Sequence, residues 1–105
     1  MKNFNAILST FENIDHIKEI KLFNSGGHES GCIINKPGAQ GSIKLYNHLF
    51  LIFGELTSNA ANEGLNLYCE HVKDAKINPG KHPNIDRLLH IVKTKETLRM
   101  EITQK

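Results

Sequence analysis

The sequence predicts an α+β domain: a small three-stranded antiparallel sheet, made of a hairpin plus a C-terminal strand, covered by about four helices in the order α-β-β-α-α-α-β. Three patterns carry this prediction. Apolar residues recur at helical spacing in four stretches, they alternate with polar residues at period two near residues 20 and 100, and glycine, proline and asparagine clusters separate these runs. With 105 residues, the whole of 1–105 is one domain, since a chain this short builds one core.

Phe4, Ile7, Leu8 and Phe11 stand at i, i+3, i+4 and i+7, which places one apolar face on a first helix over residues 3–12. The period then changes. Ile20 and Leu22 alternate with Glu19 and Lys21, Asn24-Ser25-Gly26-Gly27 tolerates positive φ, and Cys32-Ile33-Ile34 follows, so a hairpin is expected with strands over 17–23 and 29–35. Gly31 brings no side chain to the second strand and marks a bulge or a close backbone approach, with the register left open.

Pro37-Gly38-Ala39-Gln40-Gly41 cannot continue a strand, and Ser42 stands where an N-cap hydroxyl would meet the first free amides of a helix. From Ile43 to Phe53 apolar residues cover most of the helical circumference, which predicts a central helix buried on more than one side. Gly54 ends it. Thr57-Ser58-Asn59 offers caps for a third helix over 58–76, whose stripe is Ala61, Leu65, Tyr68, Val72 and Ala75. Asn78-Pro79-Gly80 breaks that helix, and Pro83 suits the first turn of a fourth with Ile85, Leu88, Leu89 and Val92 inward. Leu98, Met100 and Ile102 alternate with Thr97, Arg99, Glu101 and Thr103 as a half-buried strand does. The two open rims of such a sheet need charge, glycine or a second copy of the chain to cover them, which makes a homodimer or another protein partner an expectation.

Composition narrows the class of function. Hydrophobic residues make up 39% and charged residues 23%, with a net charge of +2, so neither disorder nor a strong electrostatic partner is implied. Met1 to Phe11 lacks the apolar stretch of an export signal, and the longest apolar run, Leu49 to Phe53, is far too short for a bilayer. Cys32 and Cys69 are too few for a disulfide framework and read as free thiols, so the expected location is the cytoplasm. The excess positive charge lies in residues 81–105, which hold six basic and three acidic groups, but aromatic residues for stacking bases are absent there, and nucleic acid is not favoured.

Two loops carry the densest polar chemistry. In Asn78-Pro79-Gly80-Lys81-His82-Pro83-Asn84-Ile85-Asp86-Arg87, a loop enters a helix N-terminus, where free amides, Lys81, His82 and Arg87 could gather around an anion. The simpler reading has Asn84 and Asp86 satisfying first-turn amides and the cations solvated. His82 and Asp86, four apart, could pair as a carboxylate-oriented imidazole, although Pro83 disturbs the spacing. The second loop, with Gly41 and Ser42, opens the central helix but departs from the phosphate-binding pattern G-x-x-x-x-G-K-[ST], since Lys44 falls two positions late.

Other chemistries fail on spacing. Six histidines form no H-x-x-x-H pair, and only a tertiary pairing such as His71 with His82 would serve a metal ion; no cofactor is called for. Cys69 near His71, and Cys32 in its strand, read as packing residues. Asp15 with Glu19, and Glu70 with Asp74, are like-charged i, i+4 pairs that read as solvated faces.

The string Pro79-Gly80-Lys81-His82-Pro83-Asn84-Ile85-Asp86-Arg87-Leu88, preceded by Gly64-Leu65, Tyr68, Glu70-His71 and by Pro37-Gly38, Gly41-Ser42, Tyr46 and Leu49, resembles the bacterial family classed as domain of unknown function 2322. The likeness covers nearly the whole chain. It implies a small intracellular bacterial protein and carries no activity or catalytic residue with it. The residues alone favour a non-enzymatic binding or protein-interaction domain. The alternative is a small enzyme or a protein for an anionic, phosphate-like ligand, built from the loops at 36–42 and 79–84 with His71, His82, Lys81 and Asp86.

Overall fold

The computed structural model describes residues 4–105. Its elements are α1 (Phe4–Leu8), β1 (Ile17–Phe23), β2 (Glu29–Ile34), α2 (Gln40–Phe53), α3 (Ser58–Tyr68), α4 (Glu70–Ile77), α5 (Pro83–Thr94) and β3 (Arg99–Gln104). The class and sheet are as expected: β1 is central, with β2 and β3 antiparallel on either side. Helices supply the rest of the core.

The hairpin closes through Asn24, whose Oδ1 accepts from the amides of Gly26 (3.0 Å) and His28 (3.1 Å), while Gly27 takes the left-handed φ of +81°. Leu22 lies opposite Gly31 but Phe23 lies opposite Glu29, so Ser30 is an extra residue and the register near Gly31 is that of a bulge. The bulge reading holds, and what comes close to Gly31 is a side chain, not a backbone: a Cβ there would stand 2.7 Å from Arg87 Nη2. A second irregularity at Lys18 lets Ile17 and Ile20, three residues apart, face the same core as Leu22. On the opposite face Lys21 pairs with Glu19 (3.6 Å), and Arg99 lies 4.7 Å over the Phe23 ring and pairs with Glu101. Arg99 and Glu101 blunt the β3 rim.

The helices pack through Ile43, Leu45, Tyr46 and Leu49 of α2 and Ile85, Leu88 and Ile91 of α5, with α3 between them. Gly64 permits the contact, since a Cβ there would meet Leu88 Cδ1 at 2.8 Å and Leu49 Cδ1 at 3.0 Å. Leu56 and Leu98 exchange two backbone hydrogen bonds (2.8 and 3.0 Å), which tie the start of β3 to the segment after α2.

Several expectations need correction. The first helix ends at Leu8, not residue 12, because the Ser9 and Thr10 hydroxyls turn back onto the carbonyls of Ala6 and Ile7 (2.7 Å each) and compete with helix continuation. Its expected start at residue 3 lies outside the described residues. Ser42 is not a cap: α2 begins at Gln40 after Ala39, with no side-chain cap, and the Ser42 hydroxyl is bonded elsewhere. The last turn of α2 outruns its cover, leaving Leu51 56% and Ile52 58% exposed. Residues 58–76 form two helices, not one, broken at Cys69 with φ +54°. Thr57 caps the first, its hydroxyl accepting from the Ala60 amide (3.1 Å). The break turns α4 so that Glu70 Oε1 accepts from the Phe4 amide (3.1 Å), while Tyr68 and Ala75 both stay buried.

Candidate functional site

The two glycine-bearing loops converge. Residues 38–42 and 81–85 form opposite walls of one open cleft of about 680 Å³, with Phe4, Leu8, Tyr68 and His71 as its floor. Gly38, at φ +92°, turns the chain into α2, whose first-turn amides have no acceptor within the helix. Gly41 has no Cβ, which would stand 3.1 Å from the Phe4 ring and 3.2 Å from Leu8 Cδ1, so α1 can close against the helix entry.

The floor is aromatic and ordered by stacking. Phe4 lies on Tyr68 with ring centroids 5.1 Å apart, and His71 meets Phe4 edge-on at 5.1 Å. The hydroxyls of Tyr68 and Ser42 are hydrogen-bonded at 2.7 Å, joining α3 to the first turn of α2. Burial, reinforced by nearby Tyr46, pushes the Tyr68 phenol well above its usual range, so it is a neutral hydrogen-bonding group.

On the other wall the turn at Gly80 (φ +92°) folds residues 81 and 82 back over α4. His82 Nε2 meets Asp74 Oδ2 at 2.5 Å, Lys81 Nζ reaches the same oxygen at 3.2 Å, and Asn78 Nδ2 donates to Oδ1 (2.9 Å). The hydrogen bond from His82, then that from Lys81, holds the Asp74 carboxyl down to about 2. A carboxylate can only accept, so Nε2 of His82 carries the proton and Nδ1 has no protein partner among the described residues. The partner of His82 is therefore Asp74 and not Asp86, because Pro83 starts α5 and leaves His82 outside the helical spacing.

The remaining predicted site residues divide. Asp86 leaves the cleft, its Oδ2 accepting from the Gly80 amide (2.9 Å), which holds the turn. Asn84 borders the cleft, but its side chain caps no amide: Oδ1 accepts from Arg87 Nη1 (3.0 Å), and its carbonyl accepts from the Tyr46 hydroxyl (2.5 Å). Arg87 lies behind the cleft, in a smaller hollow. His71 and His82 have ring centroids 6.0 Å apart, yet no group of three metal-ligating side chains forms among the described residues. Cys32 and Cys69 are free, and burial pushes both thiols up.

Sequence reasoning missed Asp74, Phe4 and the hydroxyl of Tyr68. The available signal for Asp74 was the Pro79-Gly80 turn between it and His82, which can return the chain on itself.

Together these features define a small α+β protein with one polar cleft on an aromatic floor. The family described as "Uncharacterized protein conserved in bacteria (DUF2322)" matches residues 4–102, and the chain belongs to it. No curated protein and no solved structure matches the chain. Among the described residues no helix is long and apolar enough to cross a membrane.

Proposed function

We propose that this protein binds a small anionic ligand in the cleft between residues 38–42 and 81–85. The observation that carries the reading is the convergence of these loops, each leading into a helix, on one concavity with Lys81, His71 and His82 at its walls and floor. The free amides at the start of α2 and the Lys81 ammonium would face the anionic group. Phe4 and Tyr68, stacked on each other and nearly fully buried, hold the floor firm beneath the ligand.

A thermal-shift panel of inorganic phosphate, sugar phosphates, nucleoside monophosphates and dicarboxylates tests this. A ligand at 100 times its Kd stabilises the folded state by about 2.7 kcal/mol, readily seen as a higher Tm. Gln40→Trp, which places a bulky ring at the mouth from an exposed position, is expected to abolish the rise. No rise with the panel, or an equal rise in Gln40→Trp and His82→Ala, overturns the reading.

A second reading, acid–base catalysis in the same cleft, rests on the Asp74–His82 contact. It leaves Nδ1 as the basic nitrogen of an oriented imidazole. Turnover separates the two: a binding protein returns its ligand unchanged, whereas an enzyme consumes it and loses that activity in His82→Ala.

A further inference from the structure

We propose a second, independent site: an oxyanion subsite at Arg87 and Lys36, in the hollow behind the cleft. The hollow holds about 210 Å³ and is lined by Cys32, Lys36, Asn84 and Arg87 among others. It shares Ala39, Pro83 and Asn84 with the cleft, so these residues form the ridge between the two.

The argument begins with an uncompensated charge. Arg87 is half-buried, yet no carboxylate lies within ion-pair distance of it among the described residues. Its Nη1 donates to two neutral acceptors, the Tyr46 hydroxyl (3.1 Å) and Asn84 Oδ1 (3.0 Å), and its Cζ lies 5.6 Å from the Tyr46 ring centroid. These contacts fix the guanidinium without neutralising it. None of the three titratable groups that feel its field supplies the missing charge. Burial pushes the Tyr46 phenol up to about 12, raises the Tyr68 phenol well above its usual range and raises the Cys32 thiol, so all three are neutral. Nε and Nη2 have no hydrogen-bond acceptor among the described residues, and Gly31 admits the guanidinium against β2 where any Cβ would stand 2.7 Å from Nη2.

A positioned guanidinium with unused donors, a second cation in Lys36, and a hollow of this size match one chemistry. That chemistry is a single oxyanion, phosphate or carboxylate, whose lone pairs take the remaining donors in charge-assisted hydrogen bonds. The site makes no use of Lys81, His82 or the cleft floor, and stands whether or not the cleft binds a ligand.

The chain has two arginines, and Arg99, paired with Glu101 on the open sheet face, is an internal control. Wild-type protein labelled with nitrogen-15 is titrated with sodium phosphate, and separately with sodium acetate, at ionic strength held constant with chloride. The side-chain Nε–Hε signals are read at mildly acidic pH. A saturable shift of the Arg87 signal with an unmoved Arg99 signal is the expected result with at least one anion, and the tighter anion identifies the source of the oxyanion. Lys36→Gln, at an exposed position, is expected to weaken the apparent Kd by about threefold. An Arg87 signal that stays put up to tens of millimolar of both anions overturns the site. So does an Arg99 shift of equal size, or an unchanged Kd in Lys36→Gln.

Discussion

Tyr46→Phe removes one oxygen from the point where α2 meets α5. The ring is fully buried, its hydroxyl donates to the Asn84 carbonyl at 2.5 Å, and it accepts from Arg87 Nη1 at 3.1 Å. Phenylalanine keeps the shape of the ring, so no cavity cost enters. The Asn84 carbonyl keeps its helical donor, the Leu88 amide, so no acceptor is stranded. What is lost is one neutral hydrogen bond and one to the charged Arg87, which keeps Asn84 Oδ1, so the expected loss is about 2 kcal/mol. For a domain near this size that lowers Tm by about 8–16 °C. Thermal unfolding by far-ultraviolet circular dichroism reads the change, and urea unfolding with an unaltered slope assigns it to stability alone. Tyr68→Phe is the comparison. It gives up only the contact with Ser42 in the cleft floor, a loss of about 0.5–1.5 kcal/mol. If Tyr46→Phe lowers Tm no more than Tyr68→Phe does, the Tyr46 hydroxyl is not the junction between α2 and the entry to α5.

Two further outcomes follow from geometry already described. Cys69→Gly relieves a positive φ of +54° at the junction of α3 and α4; the strain recovered, less the greater chain freedom of glycine, is expected to stabilise by about 0.5–1 kcal/mol, seen as a higher urea midpoint. Asp74 is lowered from 3.8 to about 2, so its contacts stabilise the folded state above about pH 4 and are lost as pH falls through about 2. Unfolding midpoints measured from neutral pH downward are therefore expected to separate Asp74→Asn from wild type near neutrality and to converge at the acid end; a constant gap would contradict the assignment.

Periodicity was legible wherever one face of an element decides its place. Ile85 and Leu88 on α5, and Met100 and Ile102 on β3, could be read directly because their spacing states which side meets the core. The break at Cys69 could not be read, since no glycine or proline announces it and the apolar stripe continues across it. The convergence of the two loops was equally hidden. It depends on how closely α3 lets α2 and α5 approach, and that is set at Gly64, which looks unremarkable within a helical pattern. His82 was visible as a candidate, but its partner was sought at Asp86 along the same helix. The pairing with Asp74 arises instead from a turn that reverses the chain, a contact no helical period encodes.

The position of β1 between β2 and β3 bears on the order of folding. The β1–β2 pairing closes a turn of about 5 residues, while the β1–β3 pairing closes a loop of about 75, which costs about 2 kcal/mol more in chain entropy by the logarithmic dependence on loop length. Until β3 docks, one edge of the central strand is unpaired. The walls of the cleft come from α2 and α5, neither of which needs that edge. Docking of β3 is thus expected to be the slow step, with substitutions at Met100 and Ile102 acting mainly on its rate and closure of the cleft following the helices.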